Sequence, residues 1–148
     1  MAEIFSSDEA RRYARHLVLK GIGGGGQQKL KAARVLIIGA GGLGSPVIAY
    51  LAAAGVGTIG VVDDDSVGIS NLQRQIIHTG EKVGTSKTES AAAFVTALNP
   101  HVNFIAHTLR LDAGNAAEVT AGYDILVEGS DSFGTRLVAA VVVEFNKI

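Results

Sequence analysis

The chain has 148 residues, a formal net charge of −1, no cysteine and 19 glycines. Its length suits one domain that buries ~68–70% of its unfolded surface, and 47% apolar with 18% charged residues excludes a disordered chain. The missing cysteines exclude a disulfide framework, thiolate-bound zinc and a cysteine nucleophile, and the near-zero charge argues against general nucleic-acid binding. Residues 1–34 carry a net charge of +4 and residues 35–148 a net charge of −5. A basic N-terminal arm of this kind faces an anionic ligand or an acidic neighbour, or is simply a solvated helix face. Met1-Ala2-Glu3 is acidic and no apolar signal core follows. No apolar run approaches the ~20 residues that span a bilayer, so the chain reads as cytoplasmic, with no membrane partner.

In chain order, Ser6 to Lys20 has helical spacing, with Ser6 and Glu9 placed as a capping box. Gly21 to Gly26 reads as a glycine-rich break, expected to be mobile, and Gln27 to Ala33 as a second short helix. Val35 to Ile38 is an unbroken apolar run, the pattern of a strand buried on both faces. Ser45 to Ala54 follows as a small-residue helix with Pro46 in its first turn. Thr58 to Val62 is a second buried strand that ends in Asp63-Asp64-Asp65. Residues 66–84 are polar and irregular, with room for one helical turn. Ser86 to Leu98 is helical and stops before Pro100. Phe104 to His107 reads as a strand, Ala113 to Ala121 as a helix, Ile125 to Val127 as a buried strand and Thr135 to Phe145 as a final helix. Asn146-Lys147 looks like a helix exit and Ile148 like the start of another strand, which predicts a core cut from a longer protein.

Strands alternating with helices predict an α/β fold. The expected architecture is a Rossmann-like, doubly wound, mostly parallel sheet with helices on both faces, preceded by two N-terminal helices. The expected division is a helical arm over 1–33 and a nucleotide-binding core over 34–148, truncated at its C-terminal end.

Gly39-Ala40-Gly41-Gly42-Leu43-Gly44 matches G-x-G-x-x-G between a predicted strand and a predicted helix, the context this motif needs. Gly39 permits the tight turn, Gly41 lets backbone N–H groups approach phosphates, and Gly44 lets the helix pack close to the sheet. Asp63 lies 19 residues beyond Gly44, at the end of the next strand, where a carboxylate accepts hydrogen bonds from ribose hydroxyls. Gly44 is followed by Ser45-Pro46 and not by Lys, so this is no Walker A loop. A nicotinamide dehydrogenase is the default owner of such a loop, yet no Tyr-x-x-x-Lys pair exists. Ser70-Asn71-Leu72-Gln73-Arg74-Gln75 and Lys87 instead suit a triphosphate. Arg74 can grip phosphate oxygens bidentately, Lys87 at a helix N-terminus adds a movable charge, and Asn71 can donate through its amide. Taken singly, each is equally well a solvated surface group. His16, His78, His101 and His107 lack metal-ligand spacing and read as surface or satisfied groups.

Arg12-Tyr13-Ala14-Arg15, Gly26-Gln27, the Val35–Gly44 segment, Tyr50 to Gly57, Asp63 to Val67, Ser70 to Gln75, Gly84 with Lys87, Asn99-Pro100 and Ser130-Asp131 with Thr135-Arg136 carry a resemblance. In this order they resemble the ThiF/MoeB branch of the ubiquitin-activating-enzyme superfamily, from residue 12 to residue 136. The resemblance implies ATP-dependent adenylation of the C-terminal carboxylate of a small ubiquitin-like sulfur-carrier protein ending in Gly-Gly, of the molybdopterin or thiamine biosynthesis type, with release of pyrophosphate. It implies that Gly39, Gly41, Gly42 and Gly44 form the nucleotide loop and that Asp63 binds ribose. It places Asn71, Arg74 and Lys87 on the phosphates and Asp131 on Mg²⁺. It matches Arg15 to an arginine that family homodimers insert into the partner subunit's ATP site. Asp131 is equally placed to cap the following helix, and Arg136 reads as structural, paired with a nearby acid. The family's structural zinc needs two Cys-x-x-Cys pairs, and this chain has no cysteine to supply them. Gly23 to Gly26 is richer in glycine than the family pattern, and Ser132 and Gly134 stand where Asn and Ala are common. Two alternatives stay open: an NAD(P)-dependent oxidoreductase, and a catalytically incomplete nucleotide-binding module.

Overall fold

The structure is a computed structural model and describes residues 4–146. Its elements are α1 (Ser7–Arg12), α2 (Ala14–Leu17), α3 (Gly23–Ala32), β1 (Arg34–Ile38), α4 (Gly44–Ala54), β2 (Thr58–Val62), α5 (Lys87–Leu98), β3 (Asn103–His107), α6 (Ala116–Thr120), β4 (Ile125–Glu128) and α7 (Phe133–Asn146). The irregular 66–84 stretch holds two 3₁₀ turns, Ile69–Asn71 and Gly80–Lys82, one more than expected. The predicted strand start at Ile148 lies outside the described residues. Among the described residues no helix is long and apolar enough to cross a membrane.

The four strands lie in the order β3-β2-β1-β4, and every neighbouring pair is parallel. Side chains alternate along β1, as strand geometry requires. Val35 and Ile37 enter a core with Ile48 and Ala52 of α4 and Ala91 and Val95 of α5. Leu36 and Ile38 enter the opposite core with Ala116 and Val119 of α6 and Ala139 of α7. Helices therefore cover both faces, which is why β1 reads as an unbroken apolar run from Val35 to Ile38. Each such side chain, once buried, contributes roughly 1.5–3 kcal/mol. The strand order reverses at β1: β2 and β3 build outward on one side, β4 on the other. A crevice opens outside the C-terminal ends of the strands at such a reversal, and ligand sites form there.

The N-terminal arm differs from its predicted form. The Ser6–Glu9 capping box is present, with Ser6 N–H donating to Glu9 Oε2 at 2.9 Å and Glu9 N–H to Ser6 Oγ at 3.2 Å. The single helix expected over Ser6 to Lys20 instead breaks at Tyr13 and ends at Leu17. Tyr13 is buried with its ring against Gly55, and its hydroxyl accepts a hydrogen bond from Asn99 Nδ2 at 2.8 Å. That docking outweighs one continuous helix. The glycine run is not a loop throughout, because Gly23 to Gly26 forms the first turn of α3. Glycine is a poor helix former, but Gln27 is fully buried just beyond it and holds the turn in place. Its Nε2 donates to the Ala54 carbonyl at 2.9 Å, and its Oε1 accepts from His16 Nδ1 at 2.8 Å.

Asn99 ties the arm to the core: Nδ2 also donates to the Ala52 carbonyl at 2.8 Å, and the residue is fully buried. Asn99→Ala leaves the buried Tyr13 hydroxyl without its donor, so stability should fall by about 2 kcal/mol. Thermal unfolding followed by circular dichroism checks this, and an unchanged melting temperature would show that the arm does not rest on this amide.

Candidate functional site

β1 runs into Gly39, whose φ of +97° is left-handed backbone that L side chains avoid. A Cβ on Gly39 would stand 3.1 Å from the backbone of Gly129 and Ser130. A Cβ on Gly44 would overlap the Gly39 carbonyl oxygen. Only glycine lets α4 begin this close to the strand end. The backbone of Gly41, Gly42 and Leu43, just ahead of the helix, then lines the crevice with the positive end of the helix dipole behind it. Within the first turn itself Ser45 N–H is taken by the Gly41 carbonyl at 2.9 Å, and Pro46 has none. Gly41 and Gly42 do different work. A Cβ there would have room, 3.7 Å from Gln75 Nε2 and 3.5 Å from the Arg74 stem respectively, so these two leave bare backbone along the cleft.

Side chains hold the loop from two directions. Asp63 Oδ2 accepts from the Ala40 N–H at 2.8 Å, and Oδ1 accepts from the Asp65 N–H at 2.8 Å. His78 Nε2 lies 2.9 Å from the Ala40 carbonyl, and its Nδ1 2.8 Å from Ser90 Oγ. Both His78 and Ser90 are buried. His78, with His16 on Gln27, His101 on Asp8 and His107 on Tyr123, meets the expectation of satisfied histidines.

An open cleft of about 620 Å³ lies above the strand ends. It brings together Gly39, Gly41, Gly42, Asp63, Arg74, Lys87 and Asp131, seven of the residues singled out in the sequence. Gly44 lies buried beneath the loop. Val62, Leu109 and Leu111 give the cleft an apolar side. Arg74 is exposed, and its Nη1 donates to the Ser70 carbonyl at 3.1 Å. Lys87 is not a free surface cation. Its side chain is only 7% exposed, and Nζ pairs with the largely exposed Asp65 at 2.9 Å. Asp63, Asp64 and Asp65 bring carboxylate oxygens within 4.8 Å of one another, and Asp63 and Asp65 are already engaged as described.

Besides Gly44, two expected residues stand apart from the cleft lining. Asn71 Oδ1 accepts from the Gly68 N–H at 3.0 Å, and the Asn71 carbonyl receives the N–H groups of Arg74 and Gln75. Asn71 thus shapes the turn that presents Arg74. Arg15 is exposed on α2, and its arm docks on the far ends of α4 and α5 through Tyr13, Asn99 and an Arg12–Leu98 hydrogen bond of 2.8 Å. An 11-residue α4 separates its two ends by roughly 15 Å, so Arg15 does not reach the cleft of its own chain.

At the end of β4, Ser132 takes the capping role that Asp131 could have filled. Its Oγ accepts from the Thr135 N–H at 3.4 Å and its carbonyl from the Arg136 N–H at 3.1 Å. Asp131 is left exposed at the cleft. Arg136 is structural as expected: it pairs with Glu128 at 3.3 Å and donates twice to the Ser130 carbonyl, at 2.9 and 2.7 Å.

Sequence reasoning missed Gln75, Ser130 and Arg110 as cleft residues, and the tie from His78 to Ala40. Gln75 Oε1 and Ser130 Oγ are buried without a hydrogen-bond partner among the described residues. Gln75 could have been found from its place beside Arg74; His78 carries no local signal.

Burial pushes the imidazoles of His78 and His107 below their ordinary value of 6.5. At His78 the Lys87 charge acts in the same sense, opposed by the Ala40 hydrogen bond and by Asp63. Unfolded imidazoles take up a proton near pH 6.5, whereas the folded ones resist it. Stability is therefore full well above about pH 6.5 and declines as the pH falls below it. Denaturant unfolding at several pH values should show this slope, and His107→Gln, which keeps an amide facing Tyr123, should flatten it. The same slope in the variant would remove His107 as a contributor.

A family model described as the ThiF family matches residues 13–148. Over 135 residues the chain is 52% identical to the "Probable adenylyltransferase/sulfurtransferase MoeZ" of Mycobacterium tuberculosis, covering 91% of this chain and 34% of that protein. It is 51% identical over 137 residues to the SAMP-activating enzyme E1 of Haloferax volcanii, covering 93% of this chain and 51% of that one. The chain thus spans about a third to a half of the length of these curated relatives. Among solved structures, E. coli tRNA N6-threonylcarbamoyladenosine dehydratase, TcdA, in complex with ATP matches with a TM-score of 0.90 at 27% identity, covering 97% of this chain and 58% of that one.

Proposed function

Because the chain belongs to the ThiF family, we propose that it forms the ATP-binding part of an adenylyltransferase. The substrate is the C-terminal carboxylate of a small ubiquitin-like sulfur-carrier protein ending in Gly-Gly, of the kind used in molybdopterin or thiamine biosynthesis. The observation that carries this reading is the convergence of the glycine loop, Asp63, Arg74, Lys87 and Asp131 on one cleft. The names of the relatives support it: one is an adenylyltransferase/sulfurtransferase, one activates SAMP, and a structural match holds ATP. In this reading residues 1–33 are an arm and residues 34–148 the nucleotide-binding core of a cytoplasmic homodimer.

The residues fit the chemistry. N–H groups of the Gly39–Gly44 loop receive phosphate oxygens. Asp63 keeps lone pairs for ribose hydroxyls while it holds Ala40, and the apolar side at Val62, Leu109 and Leu111 receives the base. Arg74 and Lys87 contact phosphates, and Asn71 acts through the turn that carries Arg74. The carrier's carboxylate oxygen forms a bond to the α-phosphorus as the bond from that phosphorus to the bridging oxygen breaks, and pyrophosphate leaves with the electron pair. The nucleophile is already ionised, so no general base is required. The chain's task is in-line positioning and charge neutralisation. Asp131, exposed at the cleft and released from helix capping, suits Mg²⁺, which when bound would offset charge on the leaving phosphates.

Carrier-dependent ATP–pyrophosphate exchange by the full-length protein tests this. Arg74→Ala and Asp131→Ala should each lower the exchange rate about a hundredfold. No exchange with any Gly-Gly-ended carrier, together with tight NAD binding, would overturn the reading in favour of an oxidoreductase.

Arg15 is proposed to act in the partner's cleft, since its own lies at the other end of α4. Arg15→Ala and Asp131→Ala subunits, each strongly impaired alone, should recover up to about a quarter of native exchange when mixed, because mixed dimers retain one intact site. Absence of any recovery in mixed dimers would remove the role in trans.

A further inference from the structure

His78 is a buried titratable side chain behind the glycine loop, against the Ala40 carbonyl, to which neither the motif nor the proposed chemistry gives a task. We propose that His78 is a positioning residue: it ties the glycine loop to α5, and so sets the spacing between the loop's N–H groups and Lys87. This rests on reading the cleft as an ATP site.

Hydrogen-bond chemistry assigns the tautomer. The Ala40 carbonyl only accepts, so His78 Nε2 carries the proton and donates at 2.9 Å. Nδ1 then offers a lone pair to the Ser90 hydroxyl, 2.8 Å away. A rigid ring with a donor at one end and an acceptor at the other suits a brace between two elements. Ser90 lies three residues after Lys87 on the same helix, about one turn on, so whatever holds Ser90 also holds Lys87. Ala40 is fully buried, and Asp63 already fixes its N–H. His78 fixes the other polar group of that residue. The His78 backbone N–H donates to the Gln75 carbonyl at 3.1 Å, which joins the braced residue to the turn presenting Arg74. Loop, Arg74 turn and α5 therefore meet at one residue, the first and last through its ring and the turn through its backbone; the residue is only 5% exposed.

A triphosphate spans the loop and Lys87 together, whereas adenosine needs only Asp63 and the apolar side of the cleft. Loss of the brace should therefore weaken ATP much more than adenosine. Purified full-length protein, native and variant, is titrated with ATP and with adenosine by calorimetry, with circular dichroism as the check on folding. His78→Leu should raise the Kd for ATP about tenfold or more and leave that for adenosine within about twofold. His78→Gln, which keeps an N–H donor near the Nε2 position, should restore most of the loss. In a Lys87→Met background, His78→Leu should add little, because both act on the same phosphates.

Unchanged ATP affinity in His78→Leu overturns the inference. So does an equal loss for ATP and adenosine, which marks a general structural role. Should His78→Leu not fold, Ser90→Ala decides: it cuts the brace at α5 and should weaken ATP about threefold with adenosine unaffected, and unchanged ATP affinity overturns the inference there. Native protein that binds no ATP overturns both this inference and the proposed function. Native protein that binds ATP but exchanges no pyrophosphate with any carrier removes the proposed function alone.

Discussion

The first turn of α4 lies directly against the end of β1, and the rest of the structure depends on that contact. With Gly44 pressed onto the Gly39 carbonyl, no side chain fits between helix and strand. The helix must therefore start where the strand stops, and the bare loop backbone at Gly41, Gly42 and Leu43 lies along the crevice at its positive end. The same contact fixes the other end of the helix. Ala52, Ala54 and Gly55 there form the seat for Asn99, Gln27 and Tyr13, so the N-terminal arm takes its position from a helix whose start the glycines determine. One sterically forced junction thus sets both the anion-facing end and the docked end of the molecule.

Parallel pairing completes the arrangement. β1 lies between β2 and β4 with both faces buried, so its C-terminal end is flanked by two other strand ends. Asp63 leaves one and Asp131 follows the other. Neither residue is near Gly39 in sequence. The switch in strand order makes them neighbours, and the cleft is the space between their backbones.

What could be read from the sequence follows from the range of each interaction. The strands at 35–38 and 58–62, the glycine loop and the Ser6 and Ser86 helix starts are encoded by neighbours within a few residues, and all are present. The helical turn at Gly23 to Gly26 and the break at Tyr13 were not legible. Their causes are Gln27 against Ala54 and Tyr13 against Asn99, contacts across 27 and 86 residues. The candidate site divides the same way. Its glycines, Asp63 and Arg74 sit at recognisable spacings. The pairing of Lys87 with Asp65, the capping by Ser132 and the brace at His78 arise only when separate segments meet.

The electrostatics of the cleft bear directly on the proposed reaction. Four aspartates and four basic side chains line it. Lys87 is committed to Asp65 and Arg136 to Glu128, and Arg74 rests on a carbonyl. The lining is thus near neutral before a nucleotide arrives. The helix dipole of α4 adds only about half a positive charge, whereas a triphosphate brings several negative ones. A lining built this way needs positive charge from outside its own set, delivered to the side of the cleft where Asp131 is exposed. The proposed metal at Asp131 and the proposed Arg15 of a second copy answer that need from different directions. In the proposed dimer, the arm's basic character and its placement away from its own cleft would belong to one design: a cation held where it cannot neutralise its own aspartates, and available to another subunit's phosphates.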